Sequence, residues 1–208
     1  MDPVALKIYN AVRILNEMLT DRGYNSLKYI DHFSSLDTFG VYYENYDIES
    51  FKENLNTVVK KNKEKLSVVW VPGLSLNVNI RFIHSKLESE KCTHAILIYQ
   101  DSMTPGAKSV IANSRIFIDA FSFMELQFNI TKHELNPKFI VCDKEFRDAI
   151  LKEYGCKKDK IPQLKYYDPI RKYYGLKHGD MIKTIRNFDT DGQDSMKIPS
   201  VIGYRIVE

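Results

Sequence analysis

Carboxylates that fall near strand ends have the widest chemical reach in this chain. Asp119, Glu125 and Gln127, with Asp101 upstream, loosely follow the order in which metal-dependent nucleases hold magnesium and polarise a water. Such enzymes place a lysine where Gln127 stands, so the set is incomplete for that chemistry. Asp189, Thr190, Asp191, Gly192, Gln193 and Asp194 have the oxygen-rich composition of a calcium loop. Their glycine comes too early, the distal glutamate is missing and a strand rather than a helix precedes them. His133-Glu134 has no second ligand at helical spacing. There is no phosphate-binding loop, no GxGxxG, no HExxH and no GxSxG. Cys92, Cys142 and Cys156 form no CxxC pair and read as ordinary reduced thiols. The chain is therefore read as non-catalytic, with no metal and no cofactor.

Function then has to come from surfaces, and two stretches suit that. At residues 104–108, Thr104 can cap a helix that Pro105 begins, and Gly106, Ala107 and Lys108 follow in its first turn. Backbone N–H groups at such a corner favour phosphate, and Lys108 adds a cation. The plain alternative is a capped turn. The second stretch is 167–186, YDPIRKYYGLKHGDMIKTIR. Asp168 and Pro169 read as N-cap and first helical residue, Gly175 as a helix stop, residues 177–180 as a polar turn, and residues 181–186 as an alternating strand. Tyr and Arg side chains often anchor interfaces, although Tyr166, Tyr167, Tyr173 and Tyr174 can equally fill a small core.

The elements that position these stretches follow from periodicity and punctuation. Asp2-Pro3 starts an amphipathic helix through Val4, Ile8, Ala11, Leu15 and Met18, and Gly23 ends it. In that reading Asp21, Arg22 and Tyr24 are structural. A second helix is expected from Asp47 through Ile48, Phe51, Leu55, Val58 and Val59, with the Lys60-Lys61-Asn62-Lys63-Glu64-Lys65 run at its C-terminus. Strands are expected at 66–71, in the alternation of Leu76, Val78, Ile80 and Phe82, at 94–100, at 116–121 and at 123–130. Beyond residue 131 come a strand at 139–141, a helix capped by Asp143 and ended by Gly155, and a basic connector of Lys157, Lys158 and Lys160. The 167–186 stretch, a polar loop at 187–197 and a final strand at 201–207 complete the chain.

At 208 residues, 44% hydrophobic and 27% charged, the chain can build one large core or two small ones. No apolar run approaches the roughly 20 residues of a membrane span. Residues 1–132 carry 15 cations and 15 carboxylates, whereas residues 133–208 carry 15 and 12. The whole net charge of +3 thus lies in the C-terminal part, and it is too small to mark a nucleic-acid binder by itself.

Four motif groups, in order along the chain, carry a resemblance. They are Asp21-Arg22-Gly23-Tyr24; Ile98-Tyr99-Gln100 with Thr104-Pro105; Asn129-Ile130-Thr131-Lys132-His133-Glu134-Leu135 with Pro137; and Asp168-Pro169, YxGLKxGD and IKxIR within 167–186. Together they resemble, from end to end, the fifth subunit shared by the eukaryotic nuclear RNA polymerases, whose C-terminal domain has a counterpart among the subunits of archaeal RNA polymerase. The resemblance implies an α+β protein in two parts. Residues 1–132 would form an α/β jaw domain like a decayed nuclease fold, and residues 133–208 a small α+β assembly domain.

It further implies a non-catalytic subunit of a DNA-dependent RNA polymerase, docked on the largest subunit with the small sixth subunit nearby. The implied docking residues are Asp168, Pro169, Arg171, Tyr173, Gly175, Leu176, Lys177, Gly179, Arg186, Tyr204 and Arg205. Thr104, Pro105, Gly106, Ala107 and Lys108 would lie toward downstream double-stranded DNA, read without sequence preference, and initiation factors are further partners. Gly106 stands where the family usually has serine, Gln163 replaces a usual arginine, and residues 193–203 are longer than the usual segment before Tyr204-Arg205. With a Lys-, Asn-, Ile- and Tyr-rich composition, these departures suggest a homologue from a large cytoplasmic DNA virus, working in the host cytoplasm or virion; a cellular protein would be nuclear. The competing readings are a free-standing mimic of a host subunit and the incomplete nuclease.

Overall fold

The computed structural model describes residues 2–62, 64–73, 75, 76, 80–186 and 200–208. Two compact units divide between Phe128 and Asn129, and both mix helices with a sheet, so the fold is α+β. Among the described residues, no helix is long and apolar enough to cross a membrane. The calcium-like sequence at 189–194, the polar loop at 187–197 and the middle of the expected strand at 76–82 lie outside the described residues.

In the first unit, α1 (Pro3–Asp21) forms as its sequence requires. The Asp2 carboxylate accepts from the Val4 N–H at 2.9 Å, Pro3 supplies a first position that needs no donor, and Ile8, Val12, Leu15 and Leu19 are buried along one face. Gly23 takes φ +81°, so Tyr24 N–H reaches back to the Leu19 carbonyl and Gly23 N–H to that of Thr20, both at 2.8 Å. Residues 30–43, to which periodicity assigns nothing, form a 3-10 turn (Ile30–Phe33) and α2 (Leu36–Tyr43). Their rings explain this: Phe39 lies 5.2 Å from Phe33 and 5.3 Å from Tyr9 between centroids, and Phe51 lies 5.1 Å from Tyr43. An aromatic cluster of this kind joins residues distant in sequence and leaves no helical period to read.

The second helix is shorter than its spacing suggests. α3 (Ile48–Asn54) stops before Leu55, and Val58 and Val59 belong to β1 (Thr57–Lys61), which turns through Asn62 at φ +53° into β2 (Glu64–Trp70). Lys60 and Lys61 of the lysine run therefore lie on a strand rather than at a helix C-terminus, with Lys60 directly opposite Lys65. Asn56 helps set this break, because its side-chain oxygen accepts from Trp70 N–H at 2.7 Å. The expected strand at 76–82 is also replaced: after β3 (Ser75–Leu76), Ile80 opens α4 (Ile80–Ser89).

β4 (His94–Tyr99), β5 (Ser102–Met103), α5 (Pro105–Ala112) and β6 (Phe117–Ser122) follow. The main sheet runs β1-β2-β4-β6, with β2, β4 and β6 parallel and α4 and α5 in the two crossovers. Val69, Val71, Ala95, Leu97 and Ile118 pack with Ile83, Leu87 and Ala107 of those helices. The alternate residues Val68, Trp70, Ile96 and Phe121 are buried as well, as a sheet covered on both faces requires. After β6 the chain turns, so residues 123–130 do not form the expected strand.

A buried charge cluster closes this unit. The Arg22 guanidinium donates to Asp119 at 3.2 Å, and His94 Nε2 lies 3.1 Å from the same oxygen and 3.4 Å from Arg22. The Asp119 side chain is wholly buried. The carboxylate set of the nuclease reading is therefore not assembled: Asp119 faces a permanent cation, the Glu125 carboxylate accepts from the N–H and hydroxyl of Ser122, and Gln127 donates to the Lys7 and Phe123 carbonyls.

In the second unit, β7 (Lys138–Cys142), α6 (Lys144–Glu153), β8 (Gln163–Leu164), α7 (Pro169–Tyr174), β9 (Met181–Arg186) and β10 (Val201–Val207) build a sheet of order β7-β9-β10-β8. α7 covers one part through Leu164, Ile170, Leu176, Ile182 and Val207, and α6 another through Ile150, Met181 and Ile206. Ile130 lies in a 3-10 turn and packs against the first of these clusters.

The Arg22–Asp119–His94 cluster yields a stability prediction. Arg22→Met strands a buried carboxylate and costs about 3–5 kcal/mol, whereas Arg22→Met with Asp119→Leu recovers much of the loss. Urea unfolding of the two variants checks it; equal losses would show that the stranded carboxylate is not what destabilises Arg22→Met.

Candidate functional site

The 167–186 stretch folds by local rules and is then pinned by the last strand. Asp168 Oδ1 accepts from Ile170 N–H at 2.8 Å, and Pro169 opens α7. Gly175, at φ +62°, lets Leu176 N–H reach the Arg171 carbonyl at 3.1 Å, so Leu176 folds back into the core. The turn is closed by Lys177 N–H on the Asp180 carboxylate at 2.7 Å. Gly179 is buried, donates to the Val207 carbonyl at 2.9 Å and accepts from Arg147 at 3.0 Å.

These contacts sort the expected docking residues by exposure. Arg171, Tyr173, Leu176 and Gly179 are buried, and Asp168, Gly175 and Tyr204 are half-buried. Pro169, Lys177, Arg186 and Arg205 are exposed. The Arg171 guanidinium carbon lies 4.2 Å from the centroid of Tyr166, a cation–π arrangement that holds that ring at the surface. Tyr167 is 75% exposed. Of the four tyrosines, Tyr173 is core, Tyr174 is half-buried, and Tyr166 and Tyr167 are surface. Exposure depends on what packs above a residue, which motif spacing does not encode.

Tyr204 lies within 6.2 Å of Phe146 and 6.3 Å of Tyr154 between ring centroids. Desolvation, then the neighbouring Tyr154, Cys142 and Glu153, push its phenol above the usual value, so it stays a neutral donor. At the sheet's other end, Lys165 donates to Glu208 at 2.8 Å, which raises its pKa and holds it charged. Sequence reasoning misses Tyr154 as a member of this surface. Its signal is the Gly155 helix stop, which puts the preceding residue at an exposed helix end.

The 104–108 corner is built as its sequence implies. Thr104 Oγ1 accepts from Ala107 N–H at 3.3 Å, and Thr104 O from Lys108 N–H at 3.0 Å. The cap thus uses the Ala107 donor, while Gly106 and Lys108 are exposed and Ala107 is buried against the sheet. A Cβ at Gly106 would meet nothing within 4 Å, so packing does not demand glycine there. Among the described residues no group of three His, Cys, Asp or Glu side chains could hold a metal ion.

Burial separates frame from surface in a measurable way. Tyr173→Phe removes the hydroxyl that accepts from Asn129 at 3.0 Å, and costs about 1–3 kcal/mol. Asp168→Ala costs about 1 kcal/mol through the lost cap. Tyr167→Ala stays within about 0.5 kcal/mol of the parent. Urea titrations read all three, and a Tyr167 loss exceeding that of Tyr173 would reverse the assignment.

Comparison with known proteins gives this geometry a lineage. The description RNA polymerase Rpb5, C-terminal domain, matches residues 128–207, nearly the whole second unit. The DNA-directed RNA polymerases I, II, and III subunit RPABC1 of Caenorhabditis elegans is 28% identical over 210 residues, covering 97% of this chain and 95% of the relative. The DNA-directed RNA polymerases IV and V subunit 5B of Arabidopsis thaliana is 30% identical over 179 residues, covering 85% and 82%. The subunit rpabc1 of Dictyostelium discoideum is 29% identical over 163 residues, covering 73% and 82%. With both units spanned by these alignments, the chain belongs to the Rpb5 family of RNA polymerase subunits.

Proposed function

We propose that this chain is a non-catalytic subunit of a multisubunit DNA-dependent RNA polymerase. Its second unit docks on the largest subunit, with the small sixth subunit nearby, and its first unit forms a jaw beside downstream DNA. The observation that carries the reading is the end-to-end likeness to polymerase subunits, over 97% of the chain in one relative. The local chemistry agrees with it. Asp119, the central carboxylate of the nuclease alternative, is held by Arg22 and His94, while Arg186, Arg205, Lys177 and the ring of Tyr167 face solvent. Exposed arginines and aromatic rings on a small sheet suit docking, because Tyr and Arg side chains anchor interfaces well enough to offset the freedom they lose on binding.

In the jaw, residues 104–108 offer phosphate the exposed Lys108 side chain beside the exposed backbone of Gly106. Contact there is independent of sequence and sensitive to salt. Initiation factors are further partners of the same unit.

Native affinity purification of the tagged chain from its own source in high salt, with mass spectrometry of what co-elutes, tests the subunit reading. Stoichiometric recovery with two very large polymerase subunits is expected; recovery alone or with one unrelated partner would replace it by the mimic. For the jaw, Lys108→Glu weakens downstream DNA retention at low salt and lowers the log–log salt slope by about 1, with the complex intact. Retention unchanged across a salt series would remove residues 104–108 from the DNA path.

A further inference from the structure

The last strand is paired unequally on its two flanks. On one, β10 runs against β9 from Val201 opposite Arg186 to Ile206 opposite Met181. On the other, β8 is two residues long and covers only Ile206 and Val207. Ile206 N–H donates to the Pro162 carbonyl on that second flank at 3.0 Å. By the two-residue alternation of an antiparallel ladder, the N–H groups of Tyr204 and Ile202 point the same way. Among the described residues, 201–205 thus present a sheet edge on which β8 ends short.

A cavity of about 570 Å³ lies along this edge. Tyr154, Lys160, Pro162, Arg186, Tyr204 and Arg205 are among its lining residues, and the described lining residues include three cations and no carboxylate. Ile202 and Val201 are 50% and 53% exposed. A side chain at Gly203 would bring its Cβ to 3.0 Å from Thr184 Oγ1, so the middle of the edge is kept low. An edge that alternates donors and acceptors beside a cationic trough matches one kind of occupant. A polypeptide strand satisfies both kinds of backbone group, whereas a phosphate backbone offers acceptors alone.

We propose that residues 201–205 of β10 are a strand-addition site for an extended acidic segment of another polymerase subunit. The proposal rests on the subunit reading above and adds the mode and chemistry of the contact. Five residues of edge span about 17 Å, enough for a partner strand of similar length. Arg186 and Arg205 flank Gly203 on the β9–β10 ladder, since Arg186 opposes Val201 and Thr184 opposes Gly203. A partner strand whose carboxylates recur at every second residue meets them on one face, with Lys160 at the trough's rim.

A photo-crosslinker placed at Ile202 in the full chain, within the affinity-purified complex, tests this directly. The expected product joins Ile202 to another subunit, at an extended segment with carboxylates at alternate positions. Arg186→Glu with Arg205→Glu is expected to lower retention of the large subunits about tenfold or more in a salt wash. Ile202→Pro, which removes an outward N–H and no charge, lowers retention independently and carries the test should the double variant misfold. A crosslink to nucleic acid or within this chain, or retention equal to the parent in the folded variants, would overturn the proposal. Failure of the parent chain itself to recover large subunits would instead overturn the subunit reading on which it stands.

Discussion

The backbone of residues 206–208 holds the second unit together. Val207 donates to the Asp180 carbonyl at 3.0 Å and accepts from Gly179 at 2.9 Å, while Ile206 and Glu208 donate to Pro162 at 3.0 Å and Leu164 at 3.1 Å. Three residues thereby tie the α7–β9 turn to one side of β10 and the β8 connector to the other. Ile206 and Val207 are themselves buried, one beneath α6 and one beneath α7. A strand fixed at one end by bonds on both flanks can extend past its neighbour without fraying, because its register is already set.

The first unit is organised around a charge rather than an edge. Arg22, fixed by the α1 terminus and by Lys61, which donates to its carbonyl at 2.6 Å, reaches the buried carboxylate of Asp119 on β6. A carboxylate that serves a metal must offer its oxygens to the ion, and this one is spent on a guanidinium and an imidazole. Taking Arg22 away would not restore a metal site, since Glu125 and Gln127 are bound to their own turn and to α1. The same residues that make the strand ends resemble catalytic chemistry here secure a helix to a sheet.

How much was legible follows the range of the interactions. Asp2-Pro3, Thr104-Pro105, Asp143 and Asp168-Pro169 all cap helices as read, and Gly23 and Gly175 end theirs, because a cap is decided within four residues. The break after α3 was not legible. Leu55, Val58 and Val59 continue a helical spacing, and the chain leaves it because β1 pairs with β2 and Asn56 meets Trp70, 14 residues away. The aromatic packing of residues 30–43 was invisible for the same reason. In the candidate site, motif spacing found the frame well but could not sort Tyr173, in the core, from Tyr167, in solvent.

Strand edges connect these two units to the conditions under which such a chain must survive. A bare edge invites pairing with any other bare edge, including that of a second copy. On the first unit, β1 carries Lys60 and Lys61, and its hairpin sets Lys60 against Lys65 at some cost to its own stability. On the second, Arg186, Arg205 and Lys160 surround the part of β10 that β8 does not reach. Two copies approaching edge to edge bring these cations together, and repulsion opposes the pairing before hydrogen bonds can form. An acidic strand meets the opposite field. One set of cations can thus discourage self-association of the free subunit and favour a partner of complementary charge, so the selectivity of the edge follows from the sign of three side chains.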